Sequence, residues 1–338
     1  MSTLAPPRPA ATRATATAGL RGPARAVVRQ HRRTFQLLIL VVVLAVVGLV
    51  AVALWVGHDA GLFASTGCQV GDDSPSHACA QSVRDYMDSQ LRLRAGRSWA
   101  ELLLVLLPAA YGVFMAGPAI GRELESGTHR LAWTQSVSPA RWLTAKLAVP
   151  TVAAVAATLV LKAVTVWAAG RSEQYEEGWY FDGLHSTSGV LPLAYALFAL
   201  AVGTLAGLLL RSTLRSMAVA AVIQGIAVYG FSRVRIHLWP AVTATYGSSR
   251  IDDFHPDRWV VDSGYLTGTG ERLPFGTCAG AGDSGDTCLD ALGVTGRYVD
   301  YHPESHRWPL QLVESGILLA AAALAVFVAY RLLRRLHA

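Results

Sequence analysis

Six stretches of the chain stay apolar for about twenty residues at a time, the length a helix needs to cross a hydrocarbon core of about 30 Å. They fall at approximately 35–57, 99–120, 145–169, 190–210, 216–232 and 309–330. The first (TFQLLILVVVLAVVGLVAVALWVG) and the last (PLQLVESGILLAAAALAVFVAY) read as spans by length alone. The fifth is short and carries Gln224, and the fourth ends at RSTLR, so these two read as a helical hairpin with a tight polar turn. Pro108, Pro118, Pro150, Gly203 and Gly207 lie within spans. That is ordinary for membrane helices, whose neighbours satisfy freed backbone groups. The pattern therefore predicts an all-α polytopic membrane protein with six transmembrane helices between 35 and 330.

The flanks add to this. Residues 1–34 are rich in Ala, Pro, Thr and Arg, with little to bury, and their first part is expected to be disordered. From Leu20 to Phe35, Arg alternates with apolar residues, which suits either an interfacial helix or a plain basic flank before the first span. HRRTFQLL resembles a twin-arginine export signal, but the apolar run after it is too long and five more spans follow. Composition agrees with a bilayer: 52% of the residues are hydrophobic and 15% charged, against about 25% charged in soluble domains.

Charge sets the expected orientation. With the N-terminus inside, the cytoplasmic pieces 1–34, 121–146, 211–215 and 331–338 carry sixteen Lys and Arg, and outer loops of nearly twice their length carry twelve. Nineteen of the twenty-three acids fall in the outer loops, and only Glu123 and Glu125 fall inside. Both termini are thus expected in the cytoplasm, with outer loops at 58–98 and 170–189, a large extracytoplasmic loop at 233–308 and a cytoplasmic tail at 331–338. The net charge of +6 then reflects basic flanks lying against anionic lipid and calls for no nucleic acid.

The cysteines fit that arrangement. Cys68 and Cys79 share the first outer loop and Cys278 and Cys288 the last, on the side where disulfides persist. Pairing within each loop is the simplest of three connectivities, and no CxxC spacing suggests zinc. Lys162 sits about eight residues, or roughly 12 Å, from the outer end of the third span. Intramembrane charge seeks a partner or a wet cavity, and Glu101 and Glu314 are the expected partners. GDSGD at 282–286 lacks the double barrel a trypsin-like site needs. In HPESH, His302 and His306 have helical spacing but no third ligand, so surface histidines are expected and no metal site.

One polar stretch stands out between the second and third spans: GRELESGTHRLAWTQSVSPARWLTAK, residues 121–146. It reads as a short helix near 119–126 stopped by Gly127. A second helix starts at Ser138 and Pro139 and runs into the third span. This stretch resembles the cytoplasmic signature of ABC transporter permeases of the type-2 exporter family, especially actinobacterial ones. The likeness is carried by Arg122, Glu123, Glu125, Ser126, Gly127 and Thr128, then Leu131 to Ser136, then Arg141, Trp142 and Lys146. The resemblance implies a plasma-membrane permease subunit of an ATP-driven exporter, in which 121–144 docks on a separate ABC ATP-binding subunit. Arg122, Glu123, Glu125, Gly127, Thr128, Arg130, Trp133 and Gln135 are the implied coupling residues, with Glu123 and Glu125 expected to meet Arg or Lys on that partner. A second permease copy, identical or paralogous, and membrane lipid are the other implied partners.

No cofactor is expected on this chain, only ATP-Mg on the partner. The chain's two lysines, Lys146 and Lys162, follow Ala and Leu, so the Gly-Lys-Ser/Thr of a phosphate-binding loop is absent and the chain is not expected to be an enzyme. The 233–308 loop is longer than the resemblance leads one to expect. The competing reading is a polytopic membrane enzyme or sensor whose active region lies in the outer loops.

Overall fold

The computed structural model describes residues 21–71, 76–129, 138–171, 187, 189–247, 258–278 and 285–335. Among these, six helices are long and apolar enough to cross a membrane. A short helix α1 (Arg21–Gln30) turns at His31 into α2 (Arg32–Ser65). Next, α3 (His77–Ala110) continues through a π-helical segment (Tyr111–Ala116) into α4 (Gly117–Ser126). Then come α5 (Pro139–Ala169), α6 (Leu191–Leu210) and α7 (Thr213–Val234). A small sheet intervenes before the last helix.

The 58–98 stretch, expected as a loop, is mostly helix, because α2 runs on to Ser65 and α3 begins at His77. Polar residues hid this from the apolar scan, yet an inner stripe still packs. Leu93 is buried with Leu49, Ala53 and Val56 of α2, Phe63 stacks on Tyr86 at 4.5 Å, and Arg92 lies over Trp55. Ser76 caps α3 by accepting from the Cys79 amide at 3.3 Å. The tip of this hairpin is joined by a Cys68–Cys79 disulfide.

At the centre of the bundle is α6, most of whose residues are buried. By contrast α7 buries only Ser216, Ala220 and Gln224 and leaves Leu214, Val222, Ile226 and Tyr229 bare. Such an apolar outer surface is what lipid covers in a bilayer. The close fit around α6 depends on absent side chains. A β-carbon at Gly203 would stand 2.5 Å from the Gly112 carbonyl oxygen, and one at Gly112 would stand 2.6 Å from that of Ala199. Small residues at such crossings let backbones meet where lipid offers no hydrophobic drive. The π segment sets the register: the Gly117 amide donates to Gly112 O, a bond spanning five residues. Two glycines five apart thereby share the face that α6 and α7 pack against.

Residues 242–302 depart from the helical pattern. Strands β1 (Val242–Gly247), β2 (Trp259–Thr267), β3 (Arg272–Pro274) and β4 (Val294–His302) form one antiparallel sheet, ordered β1-β4-β2-β3. A short helix α8 (Gly285–Ala291) precedes β4, and its Cys288 is joined to Cys278. Gly264 admits the Tyr298 ring across the sheet, since a β-carbon there would lie 2.9 Å from it. The chain then enters α9 (Arg307–Arg335). Near the C-terminal end of α9, Ala329 and Leu333 pack with Ile120, Trp142, Leu143 and Leu208. The described ends of the chain therefore meet the 121–146 elbow at one end of the bundle.

Candidate functional site

The elbow is built on two helix ends. Gly127 closes α4 in the left-handed region at φ 72°, a conformation that glycine adopts without a side-chain clash. The His129 ring donates from Nδ1 to the Glu123 carbonyl at 3.1 Å, satisfying one of the last-turn acceptors. On the other side Ser138 caps α5, its hydroxyl accepting from the Arg141 amide at 3.4 Å, with Pro139 in the first turn. Arg122, Thr128 and Arg141 are exposed. Arg130, Trp133 and Gln135 lie outside the described residues.

Both acids are engaged within the chain, Glu123 half-buried and Glu125 exposed. One Glu123 oxygen meets the Lys146 ammonium at 2.6 Å and the other accepts from the Trp142 indole at 2.7 Å. Lys146 is 3% exposed and also donates to Gln30 of α1 at 2.9 Å. Glu123 thus fastens α4 to α5, and through Lys146 to α1. Glu125 does a related job on α7: one carboxylate oxygen accepts from the Thr213 amide at 2.9 Å and its hydroxyl at 2.8 Å. This is an N-cap supplied from another helix, where a negative charge meets the positive end of the α7 dipole. The Thr213 bonds hold its carboxyl below the usual range.

His31, at the joint between α1 and α2, belongs to the same cluster. Burial first, then the Lys146 charge, lowers it to about 4 against the opposing pull of Glu123, so the ring is neutral at physiological pH. Beside it a recess of ≈ 360 Å³ opens between α1 (Gly22, Pro23, Ala26) and Glu123, Trp142 and Lys146.

At the opposite end of the bundle the intramembrane charges pair differently from the sequence expectation. Glu314 does not take Lys162; its carboxylate accepts from Arg235 at 2.9 Å and 3.1 Å and from the Tyr195 hydroxyl at 2.7 Å, all three residues being buried. Glu101 faces Arg97, one turn away, at 3.8 Å. Lys162 donates to the Thr187 carbonyl at 3.1 Å. Arg235, directly after α7, takes Glu314 of α9, while Lys162 of α5 meets the Thr187 carbonyl just before α6. Sequence reasoning missed Gln30, His31, Thr213, Tyr195 and Arg235. Only Thr213, in the turn RSTLR, carried a local signal, as a residue suited to a helix start.

Among the described residues no group of three or more His, Cys, Asp or Glu is placed to hold a metal ion. The family model described as ABC-2 membrane transporter related matches residues 37–235. No curated protein and no solved structure matches the chain.

Proposed function

The chain belongs to the ABC-2 membrane transporter related family, and on that premise we propose that it is the transmembrane permease subunit of an ATP-driven exporter, energised by a separate ATP-binding subunit. The protein is a multi-pass membrane protein of the plasma membrane. In this reading the 121–146 elbow faces the cytoplasm and receives the partner, which holds ATP-Mg. A second permease copy completes the pathway, and the basic residues of α1 lie against anionic lipid.

One observation supports the reading above others: the elbow is tied by Glu123 to α5 and α1 and by Glu125 to α7. A push on it therefore reaches three helices together. The acids serve as internal fastenings, and the exposed Arg122 and Thr128 offer the docking surface. The roles are separable by a charge swap. Glu123→Lys should weaken recovery of the ATPase by the permease and stimulation of its ATP hydrolysis, and Glu123→Lys with Lys146→Glu should restore both. A swap that restores nothing, beside a Glu123→Lys protein that still folds, would return Glu123 to direct pairing with the ATPase. Failure of the wild-type chain to recover or stimulate any ATPase would refute the permease reading.

A further inference from the structure

The sheet is fastened to the helices at one buried point. His302 ends β4 and is 0% exposed, so the expectation of a surface histidine fails there. Its Nε2 lies 2.9 Å from the carbonyl oxygen of Ile236. A carbonyl only accepts, so Nε2 carries the hydrogen, and the Nδ1 of the neutral ring is bare. That Nδ1 lies 3.0 Å from Nδ1 of His306, which must supply the hydrogen between them. Trp259 of β2 covers the His302 ring edge-on at 5.9 Å, and Trp239 meets His306 at 6.5 Å. Ile236 belongs to the short turn Arg235–His237 that follows α7, and His306 directly precedes α9. The pair thus joins the sheet to both helices, beside the Arg235–Glu314 clamp.

We propose that the His302–His306 pair is a proton-operated latch, closed while one hydrogen is shared between the two Nδ1 atoms and released when both rings are charged. With one added proton the pair still keeps a hydrogen between the two Nδ1 atoms, because the His306 ring can carry its other hydrogen on Nε2. A second, on Nδ1 of His302, sets two N–H groups against each other and places a cation in a site without solvent. The titratable groups facing His302 are His306 and His237, and the Arg235 charge next to Ile236 is neutralised by Glu314. Burial first, with His306 and His237 adding to it against the pull of the Ile236 carbonyl, holds His302 below its ordinary value. The released form therefore binds the proton more readily than the latched form. Latching is fully favoured above the ordinary histidine value of about 6.5 and is lost as pH falls through the lowered one. The proposal rests on the permease reading only for which compartment's pH is sensed, the outer one.

The test is amide hydrogen exchange on the full-length protein in detergent, from pH 7.5 to 5, following peptides that cover 235–238 and 294–302, with rates corrected for intrinsic pH dependence. In the wild type the opening equilibrium of these peptides should rise by up to about tenfold per pH unit below about 6.5, the slope of a single linked proton. In His306→Gln, whose amide does not titrate and can offer either N–H or oxygen to Nδ1, the acid rise should be clearly smaller than in the wild type, the remainder coming from the burial of His302 alone. His306→Ala should exchange faster at every pH. Flat wild-type protection, or an acid step unchanged in His306→Gln, overturns the latch. Neither result bears on the ATPase, so this outcome and the fate of the permease reading remain distinguishable.

Discussion

At the scale of single residues, the buried charges divide by what each one fastens. Arg235 and Glu314 are 1% and 0% exposed and make a two-bond pair that Tyr195 completes. Stripping either ion from such a pair leaves a bare charge and costs about 3–5 kcal/mol, whereas replacing both by apolar residues of similar size is often neutral. Glu314→Leu alone is therefore expected to lower the thermal midpoint of the detergent-solubilised protein, and Arg235→Met with Glu314→Leu should recover most of the loss. A thermal melt of the three proteins checks this. The sequence marked Glu314 as a charge needing a partner. It could not name Arg235, 79 positions away, because ion pairing across helices depends on which faces meet.

Helices and their crossings form the next scale. All six spans were legible, since twenty apolar residues admit few other fates in a chain of this composition. The elbow's ends were legible too, from Gly127 and from Ser138 with Pro139, because caps are local chemistry. The helical extensions at 58–65 and 77–98 were hidden because their apolar positions form a stripe too thin for a span scan. The contact of Gly203 with Gly112 was also hidden, since glycine in a span has several explanations. Its role is now specific: Gly203→Leu must push α6 off the π segment, as a β-carbon there already stands 2.5 Å from the Gly112 oxygen. Loss of folded protein in size-exclusion profiles is expected for that variant, and little change for Gly225→Leu, where nothing lies within 4 Å.

For the whole molecule, the fastened points fall at opposite ends of one bundle. The acids of the elbow, α1 and the last turns of α9 share one end, and the sheet, both disulfides and the Arg235 clamp mark the other. If the elbow is cytoplasmic, a cysteine at exposed Thr128 should react with a membrane-impermeant maleimide only after the cells are opened. One at exposed Thr245 should react in intact cells. The native cysteines are all paired, so the added thiol would be the sole label. The reverse pattern would invert the topology. The sheet itself was the least legible part of the chain, because the described strands alternate with turns in a stretch that composition marks only as polar loop.

The π segment has a consequence for the aim of the elbow's two acids. It holds one residue more than an α-helical path would need, and each residue of α-helix turns the chain by about 100°. The stretch Tyr111–Ala116 therefore sets the angular phase of everything that follows it in the same helix, including Glu123 and Glu125. Tightening those six residues into α-helix would swing both carboxylates away from Lys146 and Thr213 together, so a change of winding deep in the bundle would act as a clutch on the elbow.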